Sequence, residues 1–142
     1  EAERRRAPGK IMNMMNALAL TTVPKLSVIL RKSYGQAYLN MGGGRNSDEV
    51  AAWPTAEVSF MDAGFAAKIV SGLDPGDPGH AEALERMSRD SEVWDIASIY
   101  AVQSVIRPEL TRDYLIRMLD VHRLRLTGGV GQRQMRAWPT SY

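Results

Sequence analysis

The segment Tyr34-Gly35-Gln36-Ala37-Tyr38 follows an apolar, β-branched run, "KLSVILRK" (25–32), and leads into helix-forming residues. A chain that leaves the carboxyl end of a strand and opens a helix presents backbone N–H groups with no partner one turn back. Such places hold anions or developing oxyanions in many folds. Gly35 and Ala37 are small, so a ligand carbonyl can approach the main chain closely there. Two successive N–H groups could hold a carbonyl that becomes an enolate oxygen, each well-aimed donor being worth about 3 kcal/mol in a transition state. The plainer reading is a strand-to-helix turn with Gly35 as punctuation. Local pattern leaves both open.

Side-chain chemistry elsewhere is sparse. His80 sits in a Pro/Gly loop and His122 in a helical stretch, neither near a serine, carboxylate or second histidine at ligand spacing. Neither a metal site nor a His-dependent triad is therefore expected. "GGGRNS" (42–47) lacks the G-x-G-x-x-G spacing of a dinucleotide loop and reads as a helix C-cap. Asp62 reads as a helix cap, and Glu82, Glu85 and Asp90 as a solvent face. The chain has no cysteine. This removes disulfides, zinc thiolates and thiol nucleophiles, and fits a reducing compartment, the cytoplasm. The chemistry that survives works through backbone donors and binding energy, with the reactive group supplied by a cofactor.

The elements that must position this turn follow from periodicity and punctuation. Residues 9–21 place Ile11, Met14, Met15, Leu18 and Ala19 at helical spacing, and the segment from Thr21 to Pro24 stops the helix. "KLSVILRK" (25–32) predicts one strand buried on both faces. A short helix over 37–48 is closed by three glycines. Two extended pieces within 49–60 are interrupted by Trp53-Pro54, where the chain bends or lies at an edge. Residues 61–72 predict a helix capped by Asp62 and ended at Gly72, and 73–83 a loop. Two helices broken near Ser91, a short strand at 104–106, and a helix opened by Pro108 and Glu109 complete the pattern. Leu110, Tyr114, Leu115, Met118, Leu119 and Val121 form the expected buried stripe of that last helix. The tail, residues 127–142, reads as extended and anchored by Trp138.

Alternating strands and helices make the class α/β, with a mostly helical layered fold as the alternative because only three or four strands are visible. No internal repeat and no domain-scale linker is evident. A chain of 142 residues is one domain's worth, and its hydrophobic fraction of 44% and charged fraction of 24% are ordinary for a globular domain. Net charge is +2. The cluster Arg4-Arg5-Arg6 follows Glu1 and Glu3 and reads as a solvated helix start, so no nucleic-acid partner is expected. No run approaches the roughly 18 apolar residues of a membrane span, and no signal-peptide layout is present. The start at "EAERRR", without an initiator methionine, reads as a piece of a longer protein.

"TVPKLSVILRKSYGQAYLNM" (22–41), "AWPTAEVSFM" (52–61) and the segment from Val105 to Arg112 together resemble the carboxyltransferase β-subunits of biotin-dependent acyl-CoA carboxylases. The family pattern is roughly T-V-P-K-x-T-V-I-L-R-K-A-Y-G-G-A-Y, then A-W-P-T-A-E/Q-I, then a segment ending V-I-D-P-x-x-T-R. The resemblance covers most of residues 1–124. It implies a crotonase-like fold of repeated β-β-α units, with residues 1–142 an incomplete C-terminal half of a two-half subunit. It further implies transfer of CO2 from carboxybiotin to the α-carbon of a short-chain acyl-CoA such as propionyl-CoA.

In that family the backbone N–H groups at the positions of Gln36 and Ala37 hold the biotin carbonyl. Tyr34 and Gly35 complete the cofactor-binding turn, and the position of Leu39 influences acyl-chain length. The resemblance implies biotin on a separate carrier, acyl-CoA as substrate and no metal in this domain. The implied partners are the N-terminal half of the same subunit type, a biotin carboxylase and carrier subunit, and further copies in a dimer or trimer of dimers. The chain alone is expected to be inactive, because the acyl-CoA half lies elsewhere.

Three departures from the pattern stand out. Gln36 replaces the second glycine; M-G-A-x-G-A reads Met61-Asp62-Ala63-Gly64-Phe65-Ala66; and V-D-D-V-I-D-P reads Val102-Gln103-Ser104-Val105-Ile106-Arg107-Pro108, without its three carboxylates. They leave room for a non-catalytic, degenerate assembly partner, or for an acyl-CoA decarboxylase running the same chemistry in reverse.

Overall fold

A computed structural model of the chain describes residues 7–21 and 23–127. The Arg4–Arg6 cluster and the tail beyond Thr127, including Trp138, lie outside the described residues. The order is α1 (Ala7–Leu20), β1 (Leu26–Ile29), β2 (Lys32–Tyr34), α2 (Gly35–Asn40), β3 (Glu49–Ala52), β4 (Glu57–Ser59), α3 (Ala63–Ser71), α4 (His80–Arg89), α5 (Val93–Ser98), β5 (Ser104–Val105) and α6 (Thr111–Thr127). Single 3-10 turns at Gly44–Asn46 and Pro108–Leu110 precede β3 and α6.

The strands form two small parallel sheets, β1-β3-β5 and β2-β4. Leu26 pairs with Glu49 and Ile29 with Ala52, while Lys32 pairs with Glu57 and Tyr34 with Ser59. The backbone therefore repeats a unit of strand, corner, strand and helix, although no sequence repeat announces it. The two corners stack. Trp53 N–H donates to the Ile29 carbonyl at 2.9 Å, Glu57 N–H to the Arg31 carbonyl at 3.0 Å, and the Thr55 hydroxyl to the Leu30 carbonyl at 2.9 Å.

This stacking corrects the expectation of one strand over 25–32. The run splits at Leu30-Arg31 into two strands of different sheets, because the corner's carbonyls are taken by the corner above. It is not buried on both faces either: of the β1 residues only Ile29 is buried, and among the described residues β1 is an edge strand, paired with β3. Pro54 lies in the second corner, where the Ala56 N–H reaches back to the Trp53 carbonyl at 2.9 Å. No ladder donor is needed there.

The core is built of alanine and β-branched residues. Ile29, Val50, Ala52, Ala56, Val58, Val93 and Val102 cluster together, with Tyr38, Ile96, Ala97 and Val105 packed against them. Several helix ends fall where their punctuation predicts, although α2 spans Gly35–Asn40 and not 37–48, and α4 begins at His80, inside the expected loop 73–83. Asp62 caps α3 by accepting the Gly64 N–H at 3.0 Å, and Gly72 ends that helix in the left-handed region at φ 70°. Helices α4 and α5 break across Ser91, and β5 falls within the expected 104–106.

Two helix faces depart from expectation. Met14 is exposed in α1, whereas Ile11, Met15, Leu18 and Ala19 are half-buried. In α6 the stripe is not buried: Leu110, Leu119 and Val121 are 41%, 52% and 56% exposed, and Tyr114, Leu115 and Met118 only half-buried. The helix is tied to the body near its start, where Trp53 Nε1 donates to Thr111 Oγ1 at 2.9 Å and the Tyr114 hydroxyl to Glu49 Oε1 at 2.8 Å. Amphipathic spacing states which face can be buried; it does not supply the surface that buries it. Among the described residues no helix is long and apolar enough to cross a membrane.

Candidate functional site

Two strand-to-helix junctions lie side by side at one end of the β2-β4 sheet. The first runs Tyr34-Gly35 into α2, the second Ser59-Phe60-Met61-Asp62 into α3. Tyr34 is extended at φ −120° and ψ 142°, and Gly35 then turns the chain at φ 55°. A Cβ on Gly35 would lie 2.8 Å from the Phe60 carbonyl oxygen. Left-handed backbone and close approach both demand glycine there, so Gly35 is more than punctuation.

Gln36 and Ala37 occupy the first turn of α2, where N–H groups lack a carbonyl one turn back. Both residues are exposed. Gln36 is not among the residues with positive φ, so a side chain at this position carries no left-handed strain. That side chain folds along the helix surface, its Nε2 donating to Asn40 Oδ1 at 3.0 Å and lying 3.5 Å from Met15 Sδ of α1. The two N–H groups therefore keep an open approach despite the glutamine.

Tyr34 does not cap α2 with its side chain. Its hydroxyl instead donates to Glu57 Oε2 at 2.5 Å, a diagonal contact across the parallel pair. Burial, followed by the hydrogen bond and negative charge of Glu57, pushes the Tyr34 phenol up to about 12. Lys32 Nζ lies 5.9 Å from the centroid of the Tyr34 ring and 3.6 Å from Asp62 Oδ2. Glu57, Tyr34, Lys32 and Asp62 thus form a chain of contacts from the start of β4 to the N-terminus of α3. Glu57 and Lys32 lie inside the quoted motifs, yet strand periodicity alone does not reveal a partner 23 residues away.

Leu39 lies further along α2, exposed, with its Cδ2 toward Gly44; its carbonyl accepts the Asn46 Nδ2 at 2.9 Å. A groove of about 500 Å³ runs beside the junction, lined among others by Val28, Leu30, Lys32, Ser33, Tyr38 and Met41. His80 opens α4 and His122 sits in α6, so neither joins the turn in sequence or in element. Among the described residues no group of three or more His, Cys, Asp or Glu is arranged to hold a metal ion. The arrangement offers backbone donors on two exposed residues of a turn fixed by glycine, with hydrogen-bonded polar side chains behind it.

The carboxyl transferase domain profile matches residues 9–127. The methylmalonyl-CoA carboxyltransferase 12S subunit of Propionibacterium freudenreichii subsp. shermanii is 34% identical over 116 residues, covering 77% of this chain and 22% of that protein. The methylmalonyl-CoA decarboxylase subunit alpha of Veillonella parvula is 35% identical over 107 residues, covering 75% and 21%. The mitochondrial propionyl-CoA carboxylase beta chain of Homo sapiens is 36% identical over 110 residues, covering 76% and 20%. The chain thus spans about a fifth of the length of these relatives.

Among solved structures, the transcarboxylase 12S hexamer with methylmalonyl-coenzyme A and methylmalonic acid bound superposes with a TM-score of 0.75 at 32% identity, covering 89% of this chain and 24% of that one. The beta subunit of geranyl-CoA carboxylase from P. aeruginosa gives 0.78 at 21% identity, covering 97% and 28%, a likeness of fold alone.

Proposed function

Because the chain belongs to the carboxyl transferase domain family and has its crotonase-like α/β fold, we propose that it supplies the biotin-facing side of an acyl-CoA carboxyltransferase site within a full-length subunit. The observation that carries this reading is the turn at Gly35, which puts two exposed residues, Gln36 and Ala37, in the first turn of α2 while the Gln36 side chain is held against Asn40.

A biotin carbonyl fits this turn. Gln36 and Ala37 would hold it through their N–H groups, with Gly35 giving close approach and Tyr34 fixing the start of the turn. Biotin, carried on a separate domain, supplies the carboxyl group when bound. The chain's own part is orientation and electrostatics: two preorganised donors favour negative charge on a carbonyl oxygen, and cost no reorganisation when that charge develops. Leu39 would line the approach of the acyl chain of a short acyl-CoA. The acyl-CoA itself would be held mainly by the N-terminal half of the same subunit type, from another copy. Exposed Phe60, Phe65, Ile69 and Val70 support assembly into an oligomer, since apolar side chains in such number are normally covered.

The test is to assay the full-length subunit, together with its biotin carrier, for carboxyl transfer to short acyl-CoAs. If an intact complex carboxylates no acyl-CoA, the reading fails. Running the assay from the carboxylated acyl-CoA also tests the decarboxylase alternative, the direction for which the Veillonella parvula relative is named.

One observation favours a degenerate assembly partner instead. Asp62, in place of a glycine of the family pattern, fills the N-terminus of α3 with its own carboxylate. A wild-type complex that transfers no carboxyl group and binds no biotin, with Gln36→Gly restoring neither, would support that second reading.

A further inference from the structure

We propose that Glu57, acting through Tyr34, is a positioning residue for the Gln36 and Ala37 N–H pair. The inference rests on the reading of that turn as the biotin-facing donor site, and concerns how the chain keeps it in place.

Tyr34 is the last residue before the Gly35 turn, so its backbone sets the direction in which the next two N–H groups point. A turn exposed to solvent has few contacts of its own, and this one is held from two sides. On one side the Phe60 carbonyl stands where a Gly35 side chain would be, which limits movement toward α3. On the other, the Tyr34 hydroxyl is drawn to Glu57 Oε2 at 2.5 Å.

Glu57 is suited to act as the fixed end. Its N–H donates to the Arg31 carbonyl at 3.0 Å, and its backbone bridges to Glu92 ahead of α5, so β4 cannot follow the tyrosine if the turn shifts. Lys32 completes the restraint by lying over the Tyr34 ring and pairing with Asp62.

The experiment uses the full-length subunit with its biotin carrier, in wild type, Tyr34→Phe, Glu57→Ala and Glu57→Gln. Two readouts are taken: steady-state carboxyl transfer, and amide hydrogen exchange of the peptide spanning 33–43, in which the Met41 and Gly43 N–H groups donate to the Ala37 and Tyr38 carbonyls, compared with that spanning 26–29. Tyr34→Phe and Glu57→Ala are expected to lower kcat by about tenfold to a hundredfold, the loss produced by misplacing a reacting group by roughly 1 Å. The acyl-CoA KM is expected to stay unchanged. Exchange at the hydrogen-bonded amides of 33–43 should quicken by about tenfold with 26–29 unaffected.

Glu57→Gln keeps an acceptor oxygen and is expected to restore both readouts to within about twofold. Unchanged exchange in Tyr34→Phe and Glu57→Ala would overturn the proposal, as would a Glu57→Gln variant indistinguishable from Glu57→Ala. Faster exchange with kcat at the wild-type value would instead uphold the restraint and overturn the assignment of the turn to biotin.

Discussion

Replacing Gly35 by alanine probes the geometry on which the site depends. Two costs add. Alanine at φ 55° sits in the left-handed region, a penalty of about 1–2 kcal/mol. Its Cβ would lie 2.8 Å from the Phe60 carbonyl oxygen, and forcing backbone apart in a packed place costs about 1–3 kcal/mol. The stiffer unfolded chain returns less than about 1 kcal/mol. The net expectation is a loss of about 3 kcal/mol, read as a fall of 1–2 M or so in the urea midpoint.

Two companions separate the causes. Gly72→Ala shares the left-handed φ, 70°, but has nothing within 4 Å of the new Cβ, so it should cost about 1 kcal/mol. Gln36→Ala, one residue along and without positive φ, should fall within about 0.5 kcal/mol of wild type. Urea unfolding of all four proteins in the same polypeptide context decides the matter. A Gly35→Ala loss no larger than that of Gly72→Ala would refute the close approach to Phe60, and with it the abutting of the two junctions.

Asp62→Ala should cost about 1 kcal/mol through loss of the α3 cap, with Asp62→Asn retaining most of it; thermal unfolding of the pair checks this. The Lys32 partner adds little, both side chains being about half exposed. Tyr34 and Tyr114 are each pushed up to about 12 from an ordinary 10.0, mainly by burial, with Glu57 and Glu49 adding to it. Their neutral forms are favoured in the folded state, so this stability is full below pH 10 and is lost as pH rises from 10 to 12. Stability measured against pH should fall less steeply in that window when both are changed to phenylalanine. Trp53→Phe removes the bond to Thr111 and should cost about 1 kcal/mol, with faster amide exchange in the first turns of α6.

The local devices of the fold were legible because they depend on one or two residues. Gly35, Asp62 and Gly72 each announce a backbone conformation or a cap, and the structure places them accordingly. The helical break near Ser91 and the strand at Ser104 follow from the same logic. Legibility ended where the answer lay in a neighbour distant in sequence. "KLSVILRK" carries no glycine or proline at Leu30-Arg31, so its corner is visible only once Thr55 and Glu57 are seen bonding to it. The α6 stripe had the right spacing, but among the described residues no surface covers it. Of the candidate site, Gly35, Gln36 and Ala37 were read from the chain and the family pattern. The restraint by Glu57 was not, since nothing local marks a diagonal contact between two strands.

The order of strands in the sheets has a consequence for how the protein comes into being. β3 lies on β1 and β4 on β2, each pairing spanning about two dozen residues, so loop closure is inexpensive and the parallel pairs need not form slowly. As the polypeptide leaves the ribosome, the second unit can settle on the first as soon as it emerges. β5 is different: Ala51 pairs with Ser104, and the Gln103 side chain accepts the Val50 N–H at 2.8 Å, only after α3, α4 and α5 have been made. The turn at Gly35 and its Phe60 neighbour both belong to the first two units, so the turn can take shape early, and the bridge from Glu57 to Glu92 locks it before Val102 arrives to close the core.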